Sequence, residues 1–131
     1  MKFPFYKEPG SGLILVTVKL DEYEELKMVL DTAASLTTID INVLRMLYYP
    51  ISNIIETGQV ETANGIVEVD IIKTSVISAF GHAVRGMKVQ MYDFLKRGII
   101  SDYDGVLGLD FFKGTEFTIN MKNQTIEVKP A

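Results

Sequence analysis

The sequence has no cysteine, a single histidine and four prolines in 131 residues. Without cysteine, neither a disulfide framework nor a thiolate metal site can form. With His82 alone, a histidine-based metal site or a nucleophilic triad within one chain is disfavoured. An excess of basic charge is absent as well: the formal net charge is -4, and no run of basic residues exceeds two, so nothing resembles a nucleic-acid footprint. No window of eighteen apolar residues exists, which excludes an integral membrane helix. Met1 to Gly12 mixes prolines, glycines and charges before any apolar stretch, unlike a signal peptide. That leans the expectation toward the cytoplasm; the composition gives no other sign of the compartment. What is present is 47% apolar residues, above the level of a disordered chain and enough, at this length, for one domain with a hydrophobic core.

The apolar residues fall mostly in short runs. Met1 to Gly12 reads as an irregular arm, with 13–131 as the domain proper. Leu13 to Leu20 and Leu26 to Leu30 read as strands joined across the polar stretch Asp21 to Glu25, with Leu13, Leu15 and Thr17 on one face of the first. Asp40 to Tyr48 has helical spacing, with Thr38 or Asp40 as its cap and Pro50 as its stop. Ile51 to Ile55 is a loop or a short strand. Asn64-Gly65 is a hairpin signal between Val60–Ala63 and Ile66–Ile77, because both residues tolerate a positive φ. Ser78 to Gly86 reads as a turn region, Met87 to Asp93 as a strand, and Phe117–Met121 with Gln124–Val128 as a last hairpin. At least seven short strands against one or two short helices make a mainly β domain.

One stretch stands apart. The apolar run Leu26 to Leu30 delivers Asp31 to its end, followed by Thr32, Ala33, Ala34 and Ser35, which carry no charge. A second stretch, Gly105-Val106-Leu107-Gly108, brackets two aliphatics with glycines, so backbone is expected to approach backbone there. Leu109 to Phe112 begins a short helix. Read on residues alone, Asp31 is either a site carboxylate or a cap of its own loop.

Leu30-Asp31-Thr32-Ala33-Ala34-Ser35 resembles the Asp-Thr/Ser-Gly-Ala-Ser motif of retroviral-type (retropepsin-like) single-domain aspartic proteases. Gly105 to Phe112 is similar to their later apolar-apolar-Gly segment with the short helix after it. Thr62-Ala63-Asn64-Gly65 looks like the flap of the non-viral members. The resemblance spans roughly residues 13–128, in the family's order. It implies a closed, barrel-like fold of one lobe that works as a homodimer on an extended peptide or protein substrate, with no cofactor and no metal. Asp31 of each chain would be the catalytic carboxylate. Thr32, Ala33, Ala34 and Ser35 would shape the loop beneath it, Thr32 bonding across the dyad. Ala63, Asn64 and Gly65 would form the flap, and Val106, Leu107 and Gly108 the support below. The family's groove also implies apolar side chains beside the scissile bond.

Two like charges about 3 Å apart cannot both ionise, so such a pair shares one proton. One carboxyl then serves as base toward water and the other as acid toward the scissile carbonyl. One chain offers one such motif, so symmetry must supply the second. The family has glycine where Ala33 stands. If the dihedrals there were open only to glycine, alanine would cost about 1–2 kcal/mol; with ordinary values the cost is small. An inactive dimeric peptide-binding or structural module of the same fold is the alternative, and a small β-barrel sharing the motif by chance a further one.

The other candidates read as structural. Asp110 is taken as a cap or ion-pair partner of the short helix, and Asp104 as a turn residue. His82, between Gly81 and Ala83, is taken as a solvated loop residue. Met87, Met91, Phe111, Phe112 and Phe117 are taken as core.

Overall fold

The computed structural model describes residues 1–51, 54–62, 65–96, 98 and 102–130, with the backbone alone at 60–62. In chain order the elements are β1 (Lys2–Pro4), β2 (Tyr6–Lys7), β3 (Ile14–Leu20), β4 (Glu24–Leu30), β5 (Thr38–Asp40), α1 (Ile41–Met46), β6 (Ile54–Thr62), β7 (Gly65–Lys73), β8 (Val76–Ala79), β9 (His82–Arg85), β10 (Lys88–Tyr92), β11 (Gly105–Leu107), a 3-10 helix (Leu109–Phe112), β12 (Thr115–Asn120) and β13 (Thr125–Pro130). The protein is mainly β and forms one lobe, as expected. The main sheet runs β6-β7-β10-β5-β11-β4-β3-β8-β9, with β2 added to β3; a smaller one runs β1-β13-β12. The main path has two ends, β6 and β9, so the sheet is barrel-like without closing into a ring. No helix among the described residues is long and apolar enough to cross a membrane.

Strand pairing follows the alternation of apolar residues. In β3, Val16, Val18 and Leu20 enter the core, while Thr17 and Lys19 face out. Leu15 is buried on the opposite face, in register with Val29, which in turn pairs Val106. From Met28 onward β4 is covered on both faces. Leu30 and Leu107 are register partners within the core.

Several boundaries differ from the expectation. The first twelve residues are only partly irregular: β1 pairs β13 and β2 pairs β3 within the same chain, and Phe3 packs edge-on against Phe80 with ring centroids 6.1 Å apart. Helix α1 stops at Met46, short of Tyr48, because Tyr48 adopts φ 55 and turns the chain before Pro50 is reached. The backbone N–H of Tyr49 then donates to Leu44 O at 2.9 Å and closes the helix end. Asp40, rather than Thr38, caps the start, accepting from Asn42 N–H at 3.2 Å. The strand read as Ile66–Ile77 is broken at Thr74, whose N–H and hydroxyl both donate to Met87 O at 2.9 Å. Ser78 to Gly86 is a second hairpin, β8–β9, rather than a turn region.

The β6–β7 hairpin pairs from Thr62↔Gly65 back to Ile54↔Ile72, with a bulge between Ile54 and Glu56. Its inner part is packed: Val69, Ile71 and Ile72 are buried. Its outer part is not: Gly65, Ile66 and Glu68 are exposed. Strand geometry carries that outer part about 13 Å beyond the core. Of the residues expected at its tip, Ala63 and Asn64 lie outside the described residues, and Gly65 opens β7.

Candidate active site

The site is built on a strand exchange. β4 ends at Leu30 and β5 starts at Thr38, and the two do not pair; β11 lies between them, parallel to β4 and antiparallel to β5. The loop from Asp31 to Thr37 must therefore arch over the end of β11. Three hydrogen bonds fix that crossing. Asp31 N–H donates to Leu107 O at 3.1 Å, Leu109 N–H to Ala34 O at 2.8 Å, and Gly108 N–H to Thr37 Oγ1 at 3.1 Å. A Cβ on Gly108 would lie 2.7 Å from Leu36 C and 2.9 Å from Ala34 O, both backbone atoms that cannot swing aside. Glycine is required there by close approach. Gly105 is similarly enclosed, by the Thr38 carbonyl and the Met28 side chain.

Asp31 emerges half-buried at the start of the loop. Its Oδ1 accepts from Ala33 N–H at 2.9 Å, and its carbonyl accepts from Ala34 N–H at 3.1 Å. The carboxylate is thus held by its own loop, and its aim is set before any ligand arrives. Ala33 is not among the residues with positive φ, which are Asp21, Glu22, Tyr48, Phe80 and Gln124 besides glycines. Its methyl group carries no backbone strain, and its amide makes the bond that a glycine amide would make. Thr32, Ala33 and Ser35 are exposed, and Ala34 is half-buried. Leu36 and Leu109 expose 43% and 42% of their surface on this same loop crossing, giving the site an uncharged, partly apolar rim.

Asp110 is structural, as expected, but through the end of the Asp31 loop rather than as the N-cap of the short helix or, among the described residues, an ion-pair partner. Its Oδ2 accepts from Thr37 N–H at 2.9 Å and its Oδ1 from the Thr37 hydroxyl at 2.7 Å and from Phe111 N–H at 2.9 Å. Thr37 is fully buried and passes the connection on to Gly108. This chain of bonds pins the far end of the Asp31 loop. Sequence reasoning missed Thr37; the available signal was a polar residue set between Leu36 and Ile39, which in a buried setting demands a partner. Asp104 is more than a turn residue: its Oδ2 accepts from Lys27 N–H at 2.8 Å, and its carbonyl accepts from Asp40 N–H at 2.9 Å, stitching β4 to β5 ahead of β11. His82 is no solvated loop residue either. It opens β9 and donates from Nε2 to Phe111 O at 3.0 Å, with its ring edge-on to Phe111 at 5.1 Å.

Of the apolar residues expected in the core, Met87, Met91, Phe111 and Phe112 are buried there, and Phe117 stacks on Phe112 at 4.1 Å. Val106 is half-buried and Leu107 fully buried beneath the loop. Among the described residues, no three acidic, histidine or cysteine side chains gather closely enough to hold a metal ion.

The aspartyl protease family profile matches residues 16–111, which covers both the Asp31 loop and the β11 crossing. No curated protein matches the sequence. Among solved structures, the chain is similar to a retropepsin-like aspartic protease from Rickettsia conorii, with 17% identity and a TM-score of 0.72 over 100% of this chain and 92% of that one. A simian foamy virus protease aligns with 18% identity and a TM-score of 0.49 over 73% of this chain and 88% of that one. With the profile spanning most of the chain, this protein belongs to the aspartyl protease family and has the retropepsin-like fold.

Proposed function

We propose that the protein is a homodimeric aspartic endopeptidase, in which Asp31 of two chains face each other across a twofold axis and activate one water between them. The observation that carries this reading is the carboxylate of Asp31 presented on an uncharged loop that the β11 crossing pins in place. Asp110, the acid that follows the β11 crossing, is occupied by Thr37. The partner of the dyad must then come from a second copy. The rim of Thr32, Ala33, Leu36 and Leu109 suits such a contact, since bringing it against its own image sets no like charges together.

The mechanism follows from two carboxyls sharing one proton. The ionised one takes a proton from water as it attacks the scissile carbonyl, and the protonated one donates to the carbonyl oxygen. The tetrahedral intermediate then collapses, with the leaving amine protonated from the dyad. Thr32, exposed and without a hydroxyl partner in its own chain among the described residues, would bond across the axis. The β6–β7 hairpin, with its unpacked outer part, would close over an extended peptide and exclude bulk water. The inactive-module alternative drew on Ala33, by backbone strain or by crowding of the partner chain; the absence of a positive φ there speaks against the first.

Purified protein incubated with an internally quenched peptide library at acidic and neutral pH tests the reading. Cleavage should be blocked by a statine-type inhibitor and fall by at least about 10³-fold in Asp31→Asn, as expected when one member of an acid–base pair is lost. Cleavage that persists in Asp31→Asn would mean the water is activated elsewhere.

A further inference from the structure

Beside the Asp31 loop lies a cavity of about 440 Å³. One wall is the loop itself, from Ala33 to Leu36; the others are Thr38, Gln59 and Gln90. These three arrive from separate elements. Thr38 opens β5, Gln90 is its register partner on the parallel strand β10, and Gln59 stands on the β6 arm of the long hairpin. The Thr38 hydroxyl donates to Gln90 Oε1 at 3.0 Å. Gln90 is only 8% exposed, so that bond occupies one end of a nearly buried carboxamide. Among the described residues the other end has no protein partner, yet it is not sealed from solvent, and Gln90 lines the cavity. The free end therefore faces the open space. Exchanging oxygen and nitrogen on that amide leaves the conclusion unchanged, because one end still meets Thr38 and the other the cavity.

The lining contains no charged residue. An apolar side chain entering here would displace water from the free amide end and leave it unpaired, which is costly in a buried setting. A charged side chain would meet no counter-charge. A neutral carboxamide meets both needs: its oxygen accepts from the amide of Gln90, and its NH₂ donates to the carboxamide oxygen of Gln59 or to the Thr38 hydroxyl. The volume holds such a side chain together with water. We infer that this cavity is a specificity pocket of the peptide groove that selects asparagine or glutamine in the substrate. The inference rests on the peptide-groove reading above and departs, at this one pocket, from the apolar preference that the family resemblance implies.

Binding of non-cleavable statine-type peptides tests it without requiring turnover. A series varied position by position among Gln, Asn, Leu and Glu would be titrated calorimetrically into the wild-type protein, Gln90→Leu and Gln59→Leu. At one position the Gln and Asn peptides should bind about tenfold more tightly than Leu and Glu. Gln90→Leu should reverse that order in favour of Leu. Gln59→Leu, on an exposed strand, should weaken the preference in the same direction and serves if Gln90→Leu does not fold. Equal binding of Gln and Leu at every position, or a preference unchanged in the folded variants, overturns the inference. Cleavage of the corresponding ordinary peptides is scored separately. Selection without cleavage sinks the endopeptidase and leaves the pocket standing; cleavage without selection does the reverse.

Discussion

Gly108 lies where the chain leaving β11 passes beneath the Asp31 loop, and its missing side chain is what lets the two backbones meet. A methyl group there would press into the carbonyls of Leu36 and Ala34, at 2.8 and 2.9 Å from their oxygens. Gly108→Ala should therefore destabilise the protein by about 3 kcal/mol, seen as a lower urea midpoint with an unchanged slope. An unchanged midpoint would mean the crossing is looser than described. The glycines of this crossing were legible in the sequence, because two glycines around two aliphatics announce close backbone. So was Asp31, at the end of an apolar run. The Thr37–Asp110 bond was not: its partners are 73 residues apart, and neither periodicity nor local turn chemistry joins them. The same holds for the pairing of Thr38 with Gln90, which depends on two distant strands lying side by side.

Elements were legible in proportion to how local their causes are. Hairpins β3–β4, β6–β7 and β12–β13 follow from alternation broken by turn residues. The break at Thr74 follows from a tertiary partner, Met87 O, and the early end of α1 from a left-handed Tyr48, neither of them announced by the apolar pattern. The exit of α1 illustrates this. The Tyr49 phenol is pushed up to about 12 from its ordinary 10.0, first by burial, then by the Asp21 carboxylate to which it donates. Asp21 sits in the β3–β4 turn and also accepts from Val76 N–H at 3.3 Å, so helix end, turn and β8 converge on one carboxylate. The folded state holds the phenol proton more tightly than the unfolded chain. The stabilisation is therefore complete below pH 10.0 and is lost as pH rises toward 12. In an alkaline titration followed by ultraviolet absorbance, Tyr49 should ionise late among the six tyrosines. Tyr49→Phe should remove that late step and flatten the loss of stability in the same window. A titration in which all tyrosines ionise together near their ordinary value would refute the contact.

At the scale of the whole molecule, the chain ends are already used. β1 pairs β13, which pairs β12, so the first residues close a sheet within their own chain rather than hanging free. Each protomer can thus be folded and still hold only half of the proposed acid pair. On the proposed mechanism, activity then depends on association as well as on folding. At concentrations well below the dimer dissociation constant, the rate should rise roughly with the square of protein concentration, and linearly above it. Mixing wild type with an equal amount of Asp31→Asn sharpens the argument, because exchange puts about half of the wild-type chains into mixed pairs with one normal carboxyl. Per wild-type chain, activity should then fall to roughly half, and further as the variant is added in excess, while circular dichroism of the mixture stays unchanged. A rate strictly proportional to wild-type concentration throughout, indifferent to added Asp31→Asn, would mean that one chain completes the chemistry alone and that the second acid must be sought within it.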